Sequence, residues 1–549
     1  MATVTYSNNE LCKLAGKKIS LKDMEENITM IGMPVDEVTK EGELVIDVTP
    51  NRLDLLSIEG MARAVSSFAG VKKGLRNYEA KAPGKENKID VDKSVDEVRP
   101  FIVSAIVSGI KVDDEILKAL LDFQEKLHGT FGRKRKKIAI GVHDLSKVKL
   151  PLKYAAVKPE SVSFVPLDKT QKMNLREILE KHEKGKEYAG ILEKAKNYPL
   201  ITDANGEVVS FPPIINADKT KVAVGTKELL IEMTGTNERA LNEGLNVLCC
   251  ALADRGGKIT QMDCGGKKTP NLAPGKRNLK ISEVNDLLGT KIGDKQACEL
   301  LEKMGYGAKV KGKTGELEVL VPAYRNDVLH EVDLIEDVAI AFDYNNIEKT
   351  LPSFTAVGGK ATGDFLQEMM VGLGFSEVYT NILTNRKQNF ESVKLKNGEC
   401  VEILNPLTEE FTIVRTWLLP SLLAVLRNNK SQPFPQKLFE YGDAEEGGTG
   451  KMKKKLACVS RHAKADYSEI KSVLETLLTE QGIKFEIKTF EHPAFFKGRC
   501  AQVKVDGKHI GVLGEIDPQV MENFGLDNVE LFAQNSPLRK PVAAFEIEI

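Results

Sequence analysis

Four acids stand close together in the stretch Val321–Ile347, VPAYRNDVLHEVDLIEDVAIAFDYNNI: Asp327, Asp333, Glu336 and Asp337, with His330 among them. Val332, Ile335, Val338 and Ala339 recur at helical spacing, which predicts a helix over Val332–Ala341. On that helix Asp333, Glu336 and Asp337 fall at i, i+3 and i+4 and share a face, and Asp327 precedes it by one short connection. Crowded carboxylates repel, and a hard divalent cation with oxygen ligands is one remedy. A solvated acidic face, paired with Arg325 or with basic groups of a partner, is the other, and spacing alone leaves both open.

Other reactive residue types are sparse or scattered. The eight cysteines form no CxxC pair, and no histidine stands at zinc spacing to them, so they read as reduced, mostly structural thiols of a cytosolic chain. No Ser-His-Asp or Cys-His set suggests a covalent intermediate. Ser210 and Thr234, judged by type and place, suit turn and strand-end hydrogen bonding. The basic run Arg133–Lys137 fits a solvated loop or a phosphate contact equally well.

At 549 residues the chain is long enough for roughly three to four domains. A hydrophobic fraction of 42%, a charged fraction of 29% and a formal net charge of -1 are ordinary for a globular protein and carry no global nucleic-acid signature. No apolar run is long enough to span a bilayer, and MATVTYSNNE has no apolar signal core.

The elements that must position these residues fall into four blocks. In residues 1–80, Glu43–Val48 alternates as a strand. Asp54 is then expected to cap a helix carrying Leu55, Ile58, Met61, Ala62, Val65 and Phe68, with Gly70 at its stop. Residues 90–268 form an α/β block with strands at Phe101–Ser108, Ile138–Val142 and Glu228–Met233, a helix at Ile116–Leu127, and an extended SFPPIIN segment stiffened by Pro212 and Pro213. In residues 270–347, Ser282 and Asp294 are expected to cap two short helices. These precede the strand Leu317–Val321 and the acidic helix, a winged-helix-like order. Residues 350–549 read as an antiparallel sheet with flanking helices, one of them Leu418–Leu426.

NRLDLLS at Asn51–Ser57, the acid pattern, and the runs HGTFGRKRKKIAIGVHDLS, YPLITD, SFPPIIN and LLIEMTGTN resemble the beta subunit of phenylalanyl-tRNA synthetase of the archaeal and eukaryotic cytosolic type. The runs NPLTEEFTIVRTWLLPSLLAVLRNNK, KLFEYGD, HPAFFKGRCA and GVLGEIDPQVMENFGL carry the resemblance through the last block. It implies an α+β multidomain chain: a B1-like N-terminal domain, a B3/B4-like editing domain, a winged-helix-like B5 domain, and a degenerate class II synthetase-like B6/B7 module. It further implies magnesium at Asp327, Asp333, Glu336 and Asp337. The partners expected are an alpha subunit, in an alpha2 beta2 heterotetramer, and the tRNA for phenylalanine.

An editing pocket that hydrolyses tyrosine wrongly esterified to that tRNA is expected to draw on Leu200, Ser210, Phe211, Pro212, Glu232 and Thr234. Water is the expected nucleophile. Glu232 stands where archaeal members often carry aspartate, so the alternative is a non-catalytic, tRNA-binding scaffold with a decayed pocket. GVLGEIDPQ lacks the arginine a working class II site would place on ATP, and Arg415 is expected to be a packing or interface residue. ATP-dependent aminoacylation is therefore expected of the alpha chain, and the unusual tail DNVELFAQNSPLRKPVAAFEIEI has no assigned role.

Overall fold

The structure, a computed structural model, describes residues 2–312, 315–351, 358–359, 364–526 and 540–549, which leaves most of the tail run outside the described residues. The chain divides into two compact units, Met1–Leu351 and Pro352–Ile549.

The first unit begins with a three-stranded antiparallel sheet in the order Ala2–Ser7, Glu43–Val48, Val35–Val38. Leu44, Ile46 and Val48 alternate inward, as the strand pattern requires. The helix Ile58–Phe68 packs on it, but Asp54 is not its cap. Ser57 accepts from the Gly60 amide at 3.0 Å, while Leu53–Leu56 forms a separate 3-10 turn. Asp54 is instead gripped by Arg52 through two bonds of 2.9 and 3.0 Å, both residues being buried. The turn backs directly onto the helix: a Cβ at Gly60 would lie 1.8 Å from the Asp54 carbonyl oxygen, so only glycine fits.

The α/β block is built on a mixed sheet of eleven strands. Its functional end is the antiparallel triplet Phe101–Ser108, Glu228–Gly235, Ile138–Asp144. Leu229, Ile231 and Met233 face the helix Glu238–Asp254 through Leu241, Leu245 and Leu248 in one apolar core. Period-two alternation turns Leu230, Glu232 and Thr234 to the opposite face. The register there sets Glu232 opposite Gly141 on one side and Ser104 on the other. The proline pair follows the strand Val208–Phe211 and turns the chain into the short strand Ile215–Asn216.

The last block of this unit has the sheet order Gly275–Lys280, Glu316–Val321, Gly307–Val310, with helices Ile281–Leu288, Asp294–Lys303 and Glu331–Phe342. Both expected caps shift. Ile281 opens the first helix, so Ser282 lies inside it, and Gly293 rather than Asp294 precedes the second. Leu279, Val284, Leu301, Leu317, Val319, Leu334 and Val338 close the core.

The second unit is a seven-stranded sheet ordered Ser376–Glu377, Gln436–Glu445, Met452–Arg461, Val542–Glu548, Lys508–Ile516, Phe495–Val505, Phe485–Thr489. All neighbours are antiparallel except the first pair. Helix Leu419–Asn428 covers one face against Ala457, Val459 and Ala544, and helix Tyr467–Glu480 the other against Cys458, Leu513 and Phe545. Trp417 is buried in this unit's own core, its indole N–H bonded to the Asn389 carbonyl at 2.9 Å. No helix among the described residues is long and apolar enough to cross a membrane.

Candidate functional site

A cavity of about 290 Å³ opens in the α/β block, lined by Gln124, His128, Arg135, Ser210, Pro212 and Glu232 among others. Three of the six residues expected there, Ser210, Pro212 and Glu232, thus meet at one place. The other three support it from behind. Leu200 and Phe211 lie in the packed core, where Phe211 stacks on Tyr198 at 5.8 Å between ring centres. Thr234 is fully buried and accepts from Arg99 Nε at 2.9 Å through its hydroxyl, and from Arg99 Nη2 at 2.6 Å through its carbonyl.

Glu232 is 2% exposed, and its Oε2 has no hydrogen-bond partner. The other oxygen lies 3.8 Å from His143 Nε2, also unpartnered, while His143 Nδ1 is hydrogen-bonded at 2.8 Å to the Thr220 hydroxyl, which itself donates to the Ala217 carbonyl. Two buried polar atoms left unmet, one at the wall of a cavity, are costly unless a ligand meets them. Gly141 makes room for both: a Cβ there would stand 2.2 Å from Glu232 Oε1 and 2.9 Å from His143 Nε2.

Most other polar groups of the lining are bonded, Arg135 Nε excepted. His128 Nε2 accepts the Ile140 amide at 2.8 Å, which leaves Nδ1 to donate to Glu125 at 3.2 Å. Burial lowers the His128 pKa and keeps the ring neutral. The bond from His128, with Arg135 beside it, holds the Glu125 carboxyl down at about 2. The Ser210 hydroxyl is bonded to Asn216 Oδ1 at 3.1 Å rather than to any histidine, so it is not arranged as a nucleophile. His128, Arg135 and His143 lie within a run singled out in the sequence, HGTFGRKRKKIAIGVHDLS, but nothing in residue spacing distinguishes them from its other polar residues.

The four acids of the last block are not gathered on one point. Arg325 grips Asp327 through bonds of 2.8 and 2.7 Å and reaches Asp337 at 2.6 Å, and Asp337 also takes the Tyr306 hydroxyl. Burial opposes the charge on Asp327, yet Arg325 beside it holds the carboxyl below its usual range. Asp333 spends Oδ2 on the amides of Leu329 and His330, both at 2.7 Å, at the start of the helix Glu331–Phe342, and Glu336 is exposed. No group of three or more metal-ligating side chains occurs among the described residues. Spacing points to a cation only through unrelieved carboxylate repulsion, the resemblance being the other ground, and a guanidinium relieves that repulsion between Asp327 and Asp337. In this arrangement the set does not fit a four-carboxylate magnesium site.

In the second unit Arg415 is 2% exposed and bound to Glu440 at 2.8 Å, to the Thr380 hydroxyl at 2.7 Å and to the Asp443 carbonyl at 2.9 Å. Glu440 is wholly buried. The arginine is a packing residue with its charge met inside the fold.

Residues 347–548 match the family model described as the phenylalanyl tRNA synthetase beta chain CLM domain, and residues 277–344 match the tRNA synthetase B5 domain. The phenylalanine–tRNA ligase beta subunit of Archaeoglobus fulgidus is 41% identical over 560 residues, covering 100% of this chain and 98% of that one. The subunit of the same name from Methanosarcina barkeri is 41% identical over 537 residues, covering 96% and 97%. A crystal structure of an N-terminal fragment of the phenylalanyl-tRNA synthetase beta-subunit from Pyrococcus horikoshii superposes with a TM-score of 0.59 at 36% identity, spanning 62% of this chain and 99% of that fragment. With its relatives aligned from end to end at this level of identity, the chain belongs to the phenylalanine–tRNA ligase beta-subunit family.

Proposed function

We propose that this chain works beside a catalytic alpha subunit in an alpha2 beta2 phenylalanine–tRNA ligase, and that its cavity hydrolyses tyrosine wrongly esterified to the tRNA for phenylalanine. The observation that carries the editing reading is the unmet buried carboxylate oxygen at the cavity wall, Glu232 Oε2. A phenolic hydroxyl donates to the carboxylate and supplies what the cavity lacks. A phenylalanyl ester enters with no donor and leaves Glu232 unpaired. Sites built around a substrate hydroxyl reject the analogue lacking it by about 10⁴–10⁵. With Ser210 bonded to Asn216, attack falls to water, oriented by the bound ester and by backbone groups. Aminoacylation is assigned to the alpha chain because Arg415, tied to Glu440, is not available to ATP.

Magnesium belongs to this reading only in a restricted form. Asp327 and Asp337 are held by Arg325, so an ion at these acids would draw on Asp333 and Glu336 and keep most of its waters. Titration calorimetry should then show millimolar binding that Glu336→Gln abolishes and Asp327→Asn leaves in place. A micromolar site dependent on all four acids would overturn that form of the reading.

Deacylation of Tyr-tRNA is the decisive assay. The assembled ligase should release tyrosine far faster than phenylalanine, and Ser210→Trp, which fills the cavity, should abolish release while leaving aminoacylation intact. If wild type and Ser210→Trp leave the ester equally untouched, the chain is a scaffold with a silent pocket.

A further inference from the structure

Beside the cavity runs a loop whose backbone is twisted the wrong way for its residues. Arg133, Lys134 and Arg135 have φ of 50, 52 and 64°, three consecutive non-glycine residues in the left-handed region. Each costs about 1–2 kcal/mol there, so the turn persists only because its surroundings hold it. The Gly132 amide is bonded to the Leu127 carbonyl at 2.7 Å and the Lys137 amide to the Gly132 carbonyl at 2.9 Å. From beneath, the buried Arg99 donates to the carbonyls of Arg135 at 3.1 Å and Lys136 at 3.4 Å. The same guanidinium holds Thr234, two residues from Glu232 on one strand, so loop and cavity wall share an anchor.

The twist sorts the side chains. Arg135 turns inward to line the cavity, bonded to the Ile214 carbonyl at 2.9 Å and to Glu125 at 3.0 Å, with its Nε unpartnered although the residue is only 9% exposed. Arg133, Lys134 and Lys136 are exposed, and none forms an ion pair among the described residues. Some lysines of the same block are neutralised, Lys147 by Asp144, Lys184 by Glu187 and Lys221 by Asp168; what distinguishes the loop is the crowding of its unpaired cations within Arg133–Lys136. Three unneutralised cations crowded on a strained loop repel one another, and nothing inside the fold offsets that repulsion.

We propose that Arg133, Lys134 and Lys136 bind the phosphate backbone of the single-stranded 3′ end of the RNA whose aminoacyl ester enters the cavity; this rests on the cavity being the deacylation site. A cavity of about 290 Å³ is at the small end of ligand pockets, sized for a side chain, so the strand lies outside it and passes the rim. Each phosphate met there releases counterions, which draws the strand to the rim and makes the contact salt-dependent. Arg135, pointing the other way, links the rim to the interior.

The test uses the assembled ligase carrying Arg133→Asn, Lys134→Asn and Lys136→Gln in this chain. Asparagine tolerates the left-handed backbone, so charge is removed without disturbing the turn. Binding of a 5′-labelled acceptor-stem minihelix is followed by anisotropy across a salt series, and deacylation of Tyr-tRNA by initial rates. The slope of log Kd against log salt should shallow by about 2, at about 0.7 per single-strand phosphate. KM should rise about tenfold or more with kcat changed less than about twofold. Lys134→Asn alone should remove about a third of the slope change, which guards against a fold defect in the triple variant. Unchanged slope and KM in the triple variant overturn the proposal. The two readings fail separately: Glu232→Gln should bind the minihelix with the wild-type slope while losing hydrolysis. If wild type releases no tyrosine yet the triple variant still loses its slope, the RNA contact stands and the reaction assigned to the cavity falls.

Discussion

Gly141→Ala is a sharp test of how the cavity is built. The new methyl would stand 2.2 Å from Glu232 Oε1 and 2.9 Å from His143 Nε2. Ordinary contact begins at 3.4 Å, so the carboxylate oxygen must recede by about 1.2 Å (3.4 − 2.2). Glu232 is buried, and the room open to it is the cavity, where it would crowd the ligand it is proposed to recognise. A misplacement of about 1 Å costs about 100-fold in rate, or about 2.7 kcal/mol of transition-state stabilisation. Overpacking adds about 1–3 kcal/mol of lost stability. Initial-rate deacylation of Tyr-tRNA should therefore fall about 100-fold in kcat with KM nearly unchanged, because the rim is untouched. The compensating change is Glu232→Asp, which withdraws the carboxylate by one methylene. Alone it retreats from the ligand hydroxyl and should cost about tenfold. Combined with Gly141→Ala it should recover at least tenfold over the alanine variant, a coupling of about 2.7 kcal/mol or more once the cost of Glu232→Asp alone is counted. Full activity in Gly141→Ala, or a double variant no better than that single one, would refute the assignment of Glu232 to ligand contact.

Two further outcomes follow from buried charge. Arg325→Met strips Asp327 and Asp337 of their shared counter-ion and should destabilise the first unit by about 3–5 kcal/mol in urea titration, whereas the same change made with Asp327→Asn and Asp337→Asn should recover most of it. His128 must stay neutral to accept the Ile140 amide, and its folded pKa lies below the ordinary 6.5 because of burial. An unfolded chain takes up that proton first, so the stability it confers is full above about pH 6.5 and drains as pH falls, by up to about 1.4 kcal/mol per unit. Glu125, held at about 2, adds its own loss only below about pH 4.5; His492 in the second unit is also lowered by burial, so the comparison with His128→Gln isolates the share of His128. A melting series on wild type and His128→Gln from pH 7.5 to 5 should converge; parallel curves would show that the histidine is not linked to folding.

Much of the scaffold was legible because one buried face fixes a period. The alternation of Leu44, Ile46 and Val48 marks its strand end to end, and the acidic helix, predicted as Val332–Ala341, spans Glu331–Phe342. Caps were less legible: Asp54 and Ser57 are both good N-caps three residues apart, and only the three-dimensional course of Arg52 decides between them. The cavity was half legible. Ser210, Pro212 and Glu232 line it, while Leu200, Phe211 and Thr234 are adjacent in sequence or alternation but turned into the core or onto Arg99. Which polar groups are left unmet depends on cross-strand register, Glu232 against Gly141, and register between strands nearly ninety residues apart leaves no local mark. The acid quartet shows the same limit, since Arg325 was among the partners considered and only the fold shows it between two of the acids.

The placing of Val542–Glu548 bears on folding as well as on the finished structure. That strand is an interior member of its sheet, between Met452–Arg461 and Lys508–Ile516. Until Val542–Glu548 docks, the strands on either side of it present raw edges to an empty slot, each a template for mispairing. Closure pairs Met452–Arg461 with a strand distant from it in sequence, a non-local contact that is correspondingly slow to form. Substitutions that keep this strand from pairing should therefore open the sheet in its middle rather than at its margin.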